Sequence, residues 1–217
     1  MDRSKNGVMK GVYPLVVFLL VSASGGAQQR QRWPLRAAVF SNATLLPPVV
    51  LTRIFAEPLH PGLSLGTTYT YRNNGRHELL QTFRAGYFYH RYNQHAIQLY
   101  TEAGYRLHSR SGLDAGLLIG GGYLHAIPTT PTFAWNGRGS YDRKRSLGRP
   151  RAMISSALEL GYSPRMPTGA PVRFFLAYQF WLQTPFLKQY VPLLPNTALH
   201  LGASVPLRKP VPRNGTH

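Results

Sequence analysis

Leu79-Leu80-Gln81-Thr82-Phe83-Arg84-Ala85-Gly86-Tyr87-Phe88-Tyr89 is the stretch that decides the fold of this chain. One face, Leu79, Gln81, Phe83, Ala85, Tyr87 and Tyr89, is mostly apolar and ends in aromatics. Thr82, Arg84 and Gly86 stand between them. Two further segments repeat the pattern. Ile97, Leu99, Thr101, Ala103, Tyr105 and Leu107 alternate with Gln98, Glu102, Gly104 and Arg106. Val172, Phe174, Leu176, Tyr178, Phe180 and Leu182 alternate with Arg173, Ala177 and Gln179. A period of two puts alternate side chains on opposite faces of a strand. Such a dyad over about ten residues fits a strand that crosses a bilayer within a barrel.

Working outward, the alternation predicts eight strands at 33–42, 62–72, 77–91, 95–108, 112–125, 151–163, 171–184 and 196–207. The first alternates poorly, and Pro34 confines it to an edge or a strand start. Tight polar connections at Asn73–Arg76, Ser109–Gly112 and Pro164–Ala170 are rich in turn-forming residues. Longer ones cover 43–61, 126–150 and 185–195. Short and long connections fall on opposite ends of the strands, apart from the short Tyr92-Asn93-Gln94. That parity suits a membrane barrel with short periplasmic turns and long outer loops.

The ends of the chain agree with export. Arg3, Lys5 and Lys10 precede the apolar run Leu15–Val21 and the small residues Ser22–Ala27. This is the order of a secretory signal, with cleavage expected after Ala27. The expected organisation is therefore a signal peptide at 1–27, a barrel at 28–207 and a basic tail at 208–217. No cysteine follows the apolar run, so no lipoprotein anchor is expected.

Charge is lopsided, with 25 Lys and Arg against 7 Asp and Glu, a net +18. Export argues against nucleic acid as the partner. Outer-membrane lipid, the phosphates of lipopolysaccharide or an acidic surface polymer suit such a surface better, as would a surface partner reached through the loops. Solubility and orientation explain the charge equally well.

An eight-stranded barrel is just wide enough to be filled by its own side chains. The inward face is expected to hold a lumenal polar network of Arg84, Glu102, Arg106, Asp114, Glu159, Arg173, Gln179 and His200. Buried charges of both signs must pair and hydrogen-bond. Gly66, Gly86, Gly104, Gly120, Gly122, Gly161 and Gly202 would leave room for the long side chains. Tyr69, Tyr71, Tyr87, Tyr89, Tyr105, Tyr123, Tyr162, Tyr178 and Phe180 fall near strand ends on the apolar face, as an interfacial girdle would.

With these segments, and with Tyr87–Arg91, Gln179–Phe186 and Val191–Gly202, the chain from about Pro61 to Leu207 resembles the small outer-membrane β-barrel proteins of Gram-negative bacteria, the OmpX-like group. The resemblance implies an all-β, eight-stranded antiparallel transmembrane barrel and brings no catalytic motif. The chain departs from that group at its end, where Arg208–His217 follows the last strand in place of a terminal aromatic.

The same group includes lipid A-modifying enzymes, and a deacylase-like site would draw on His90, His125, Ser155, Ser156 and Glu159. Such a site needs a Ser nucleophile, a His base and an orienting carboxylate. No His-x-Ser pair stands on one strand face, so no catalytic residue is assigned. Eight histidines show no metal-ligand spacing; His90 and His95 flank one connection, and two imidazoles alone make a weak site. Nothing calls for a metal or another cofactor. The run Asp142-Arg143-Lys144-Arg145 could meet phosphates or simply be solvated.

The expected role is non-enzymatic, structural or surface-interacting, with basic and apolar loops on display. The alternatives are a lipid A-modifying enzyme and a periplasmic lipocalin-like binder of a hydrophobic ligand. Periodicity alone does not say whether the apolar face meets lipid or an internal ligand. Loop parity and the charged opposite face favour lipid outside.

Overall fold

In the computed structural model, residues 33–44, 60–90, 94–129, 132–137, 139–144, 147–165, 171–185 and 193–207 are described. The segments 1–27 and 208–217, most of the loop at 43–61 and the centre of the loop at 185–195 lie outside them.

The strands are β1 (Pro34–Ala43), β2 (Pro61–Asn73), β3 (His77–Tyr89), β4 (Gln94–His108), β5 (Leu113–Pro128), β6 (Thr132–Trp135), β7 (Tyr141–Lys144), β8 (Arg149–Tyr162), β9 (Arg173–Thr184) and β10 (Leu194–Pro206). Eight of them close a barrel in the order β1-β10-β9-β8-β5-β4-β3-β2. All neighbouring pairs are antiparallel. β1 is not an edge: it pairs with β10 on one side and β2 on the other, and Pro34 stands at its start, opposite Pro206. Closure leaves no open sheet edge, the condition for strands in lipid.

β6 and β7 form a separate hairpin inside the connection from β5 to β8. The sequence pattern predicts a plain loop there, and the structure builds a hairpin into it. The turn at Asn136–Ser140 joins the two short strands, with Asn136 N donating to Ser140 O at 3.1 Å.

The rim of β2–β3, β4–β5 and β8–β9 connections, here the turn rim, is made by local chemistry. Gly75 adopts φ +80°, a left-handed conformation natural to glycine, and its N–H donates to Asn73 Oδ1 at 2.7 Å. The opposite rim, the loop rim, carries the β1–β2, β3–β4, β5–β8 and β9–β10 connections.

The barrel is apolar outside and keeps its charges inside. Leu65, Leu79, Ile97, Leu99, Leu117, Ile119, Ile154, Leu158, Leu160, Phe174 and Leu201 are exposed on its outer wall. Arg84, Glu102, Asp114 and Glu159 are buried within. A wall of this kind is unfavourable in water, and strands of 10 to 16 residues are long enough to span hydrocarbon. The protein is thus an eight-stranded transmembrane β-barrel. The lipocalin-like arrangement, with an apolar face turned inward around a ligand, is not the one the chain adopts.

Candidate functional site: the filled lumen and its two rims

The lumen is built in two chemically distinct halves. The half beside the turn rim is ionic. Glu159 on β8 is its hub. It accepts from Arg36 of β1, from Arg106 Nη2 of β4 at 2.9 Å, and approaches Arg173 Nη2 of β9 at 2.9 Å and Arg84 Nη2 of β3 at 3.5 Å. Asp114 of β5 accepts from both Nε (2.7 Å) and Nη2 of Arg173, a bidentate pair. Glu78 of β3 accepts from Arg106 Nη1 at 2.8 Å and Thr70 Oγ1 at 2.8 Å, and contacts His108 Nε2 at 2.9 Å. Glu102 of β4 accepts from Ser155 Oγ at 2.9 Å and Gln179 Nε2 at 2.8 Å, with Arg84 Nη2 at 3.5 Å. Gln179 Oε1 in turn faces His200 Nε2 at 3.1 Å.

Four arginines and four carboxylates therefore share one buried network. Period-two geometry explains the gathering. Each strand offers every second residue to the lumen, and the registers bring Arg106 beside Glu78 and Glu159 beside Ala177. Phe175 fills the space beneath two of the guanidiniums, with Arg36 Cζ 4.2 Å and Arg173 Cζ 5.8 Å from its ring centre. The structure places all eight residues of the sequence-derived network in this lumen. It adds Arg36 and Glu78, which that set lacked. Glu78 shares the face of Leu80, Thr82 and Arg84, so strand parity carried its signal. Arg36 lay in the one strand whose alternation was poor.

The half beside the loop rim is aromatic. Phe40, Phe88, Ala96, Tyr100, Leu124, Ala126, Met153, Trp181 and Ala198 form one buried cluster. Phe88 packs edge-on against Trp181 at 5.8 Å and against Phe40 at 6.3 Å. Phe40 stacks on His200 at 4.6 Å, joining the two halves. Trp181 is fully buried and its Nε1 donates to Asn42 Oδ1 at 3.2 Å. Above the cluster lies a layer of amides. Asn42 Nδ2 donates to Asn196 Oδ1 at 3.4 Å, Gln94 Nε2 to Gln183 Oε1 at 3.1 Å, and Arg151 Nη1 to both Gln94 Oε1 and Gln183 Oε1 at 3.0 Å.

Glycines let the strands approach. A Cβ on Gly120 would lie 1.9 Å from Thr101 O, and one on Gly122 2.1 Å from Leu99 O. Both clashes are with backbone, so these glycines serve β4–β5 pairing more than side-chain room. Gly161 does give room: a Cβ there would lie 2.3 Å from Arg173 Nη2 and 2.5 Å from Asp114 Oδ2.

The residues that a deacylase-like site would draw on are not brought together. Ser155 and Glu159 are inside the lumen and engaged with Glu102 and the arginines. Ser156 is on the opposite face of β8, paired with Ile119 of the exposed wall. His125 is held between Tyr123 Oη at 2.9 Å and Leu147 O at 2.8 Å. His90 stacks on His60, with ring centres 3.7 Å apart, while His95 turns outward to Tyr87 Oη at 3.4 Å. His90 and His95 thus fall on opposite sides of the wall. Gly120-Gly121-Gly122 lies within β5. The side chains of Asp142-Arg143-Lys144-Arg145 lie outside the described residues.

A closed antiparallel eight-stranded barrel, apolar without and filled within, is the architecture of a small membrane-spanning β-barrel. Solved structures similar to the chain include the outer-membrane enzyme PagL (TM-score 0.46, 11% identity, 80% of this chain and 99% of that one). Neisserial surface protein A gives TM-score 0.46 and 13% identity over 82% of this chain and 97% of that one. The β domain of the Bordetella autotransporter BrkA gives TM-score 0.35 and 10% identity over 84% and 73%. No protein-family model matches the chain, and the sequence comparison with curated proteins found no match.

Proposed function

We propose that this chain is a non-enzymatic barrel of the Gram-negative outer membrane, exported after cleavage near Ala27, which displays basic and apolar loops to anionic partners at the cell surface. One observation carries the reading: the described lumen is occupied across its length by a neutral ionic network and an aromatic cluster. Eight strands leave no aqueous channel. Action is thereby referred to the rims and the wall.

Charge supports the choice of partner. The network consumes four of the seven acidic residues, Glu78, Glu102, Asp114 and Glu159, and is itself balanced, so the excess of basic residues lies wholly outside it. On the loop side the sequence offers Arg53, Arg91, Arg138, Arg143, Lys144, Arg145, Arg149 and Lys188 against Glu57 and Asp142. Such a surface attracts lipopolysaccharide phosphates in a salt-dependent way. Titration of the folded barrel with lipopolysaccharide tests this. Binding should weaken several-fold in R143Q/K144Q/R145Q and with rising salt. Equal binding by the triple variant and the parent would overturn it.

A further inference from the structure

The turn rim holds a second cationic surface, set up by an irregularity in β2. β2 pairs with β3 through Thr70↔Leu80 and then Arg72↔Leu79, so Tyr71 is an extra residue, a β-bulge. In unbroken register position 72 would oppose Glu78 and join the lumenal face. The bulge places Arg72 opposite Leu79, which is exposed on the outer wall. Bulges re-aim side chains in this way. The guanidinium is exposed and donates from Nε to Asn74 Oδ1 at 3.3 Å.

Around it the wall is unusual. Trp33 and Tyr69 meet edge-on at 5.6 Å, and Tyr69 and Tyr71 at 4.9 Å. Tyr71 Oη donates to Gln81 Oε1, Gln81 Nε2 donates to Thr101 Oγ1 at 2.8 Å, and Thr101 Oγ1 donates to Thr82 O at 2.8 Å. A polar chain thus runs over an otherwise apolar face beneath an aromatic corner, the composition of a headgroup boundary.

The neighbouring turns extend the charge. Arg76, Arg110 and Arg165 are exposed. His108 N donates to Arg76 O at 2.8 Å, and Arg165 Nη2 donates to Arg110 O at 2.9 Å, tying the turns into one arc. Among the described residues none of these four arginines has an ion pair. The carboxylates at this end, Glu78, Asp114 and Glu159, are turned inward and held by other arginines.

We infer that Arg72, Arg76, Arg110 and Arg165, with the Trp33–Tyr69–Tyr71 corner, form a binding surface for anionic phospholipid headgroups of the adjacent leaflet. Guanidinium forks match phosphate oxygens. The position of Arg72 and Tyr71 on the wall, rather than on the crest of the turns, selects a lipid over a water-borne acidic polymer. The inference rests on the membrane-barrel reading and is independent of any partner at the loop rim.

The test purifies the full chain in mixed micelles with equal phosphatidylglycerol and phosphatidylcholine of matched acyl chains, then quantifies retained lipid by native mass spectrometry. The parent should retain phosphatidylglycerol preferentially. R72Q/R76Q/R110Q/R165Q should lose that preference, by about five-fold for each arginine removed at full headgroup attraction. Heat-modifiable mobility of each variant reports closure separately: a parent that never closes defeats the membrane reading, whereas a closed parent without lipid preference defeats this inference alone. Retention unchanged in the quadruple variant would overturn it. So would co-sedimentation with purified peptidoglycan that depends on the four arginines while lipid retention stays unselective.

Discussion

The two halves of the lumen solve the same problem in opposite ways. Both must fill a closed tube. Beside the turn rim, Arg36, Arg84, Arg106 and Arg173 interlock with Glu78, Glu102, Asp114 and Glu159. Beside the loop rim, Phe40, Phe88, Tyr100, Leu124, Met153 and Trp181 interdigitate. The ionic half is held by reciprocity, since each charge is tolerable only because its partners are present. The aromatic half is held by volume, since each ring is supported by whatever apolar surface surrounds it.

The largest expected effect is in the ionic half. Glu159→Gln leaves Arg36, Arg84, Arg106 and Arg173 sharing three carboxylates, and should cost about 3–5 kcal/mol, read as a lowered urea midpoint of vesicle-reconstituted protein. Trp181→Ala should cost about 3 kcal/mol by opening a cavity beside Phe88 and leaving Asn42 without its indole donor. The sharper contrast lies in double variants. Replacing Arg84 and Glu102 together by methionine should cost less than removing Glu102 alone. Truncating Phe88 and Trp181 together should cost more than either truncation. An Arg84/Glu102 double methionine variant costlier than loss of Glu102 alone, or a Phe88/Trp181 double truncation no costlier than either single one, would erase the distinction.

How much of this was legible in the sequence follows from strand parity. Alternation in β3, β4 and β9 put Arg84, Glu102, Arg106, Arg173 and Gln179 on one face, which was enough to name most of the ionic network. It did not reveal the aromatic half. Phe88 sits between Tyr87 and Tyr89, and Trp181 between Phe180 and Leu182, so alternation vanishes there and the inward ring is masked by outward ones. Unbroken apolar runs at one end of several strands were the available signal, because only a strand apolar on both faces produces them. The bulge at Tyr71 was invisible for another reason: a single inserted residue changes parity only after the strand has nearly ended. The β6–β7 hairpin had a local cue in Asn136-Gly137 between Trp135 and Tyr141.

Smaller effects refine the picture. Gly120→Ala forces β4 and β5 apart at a backbone contact, and should cost about 1–3 kcal/mol, whereas Gly75→Ala meets no neighbour within 4 Å and is strained only by its φ of +80°. Gln81→Leu on the lipid-facing wall should change stability by no more than about 0.5 kcal/mol, because its loss leaves Tyr71 Oη near the headgroup boundary, where lipid and water supply partners.

Membrane fractionation combined with heat-modifiable gel mobility tests the central claim most directly, that an apolar wall faces lipid around a filled lumen. The account predicts recovery in the outer membrane and an unboiled band that migrates apart from the boiled one. Recovery in the soluble periplasm, with no difference between the two bands, would contradict it.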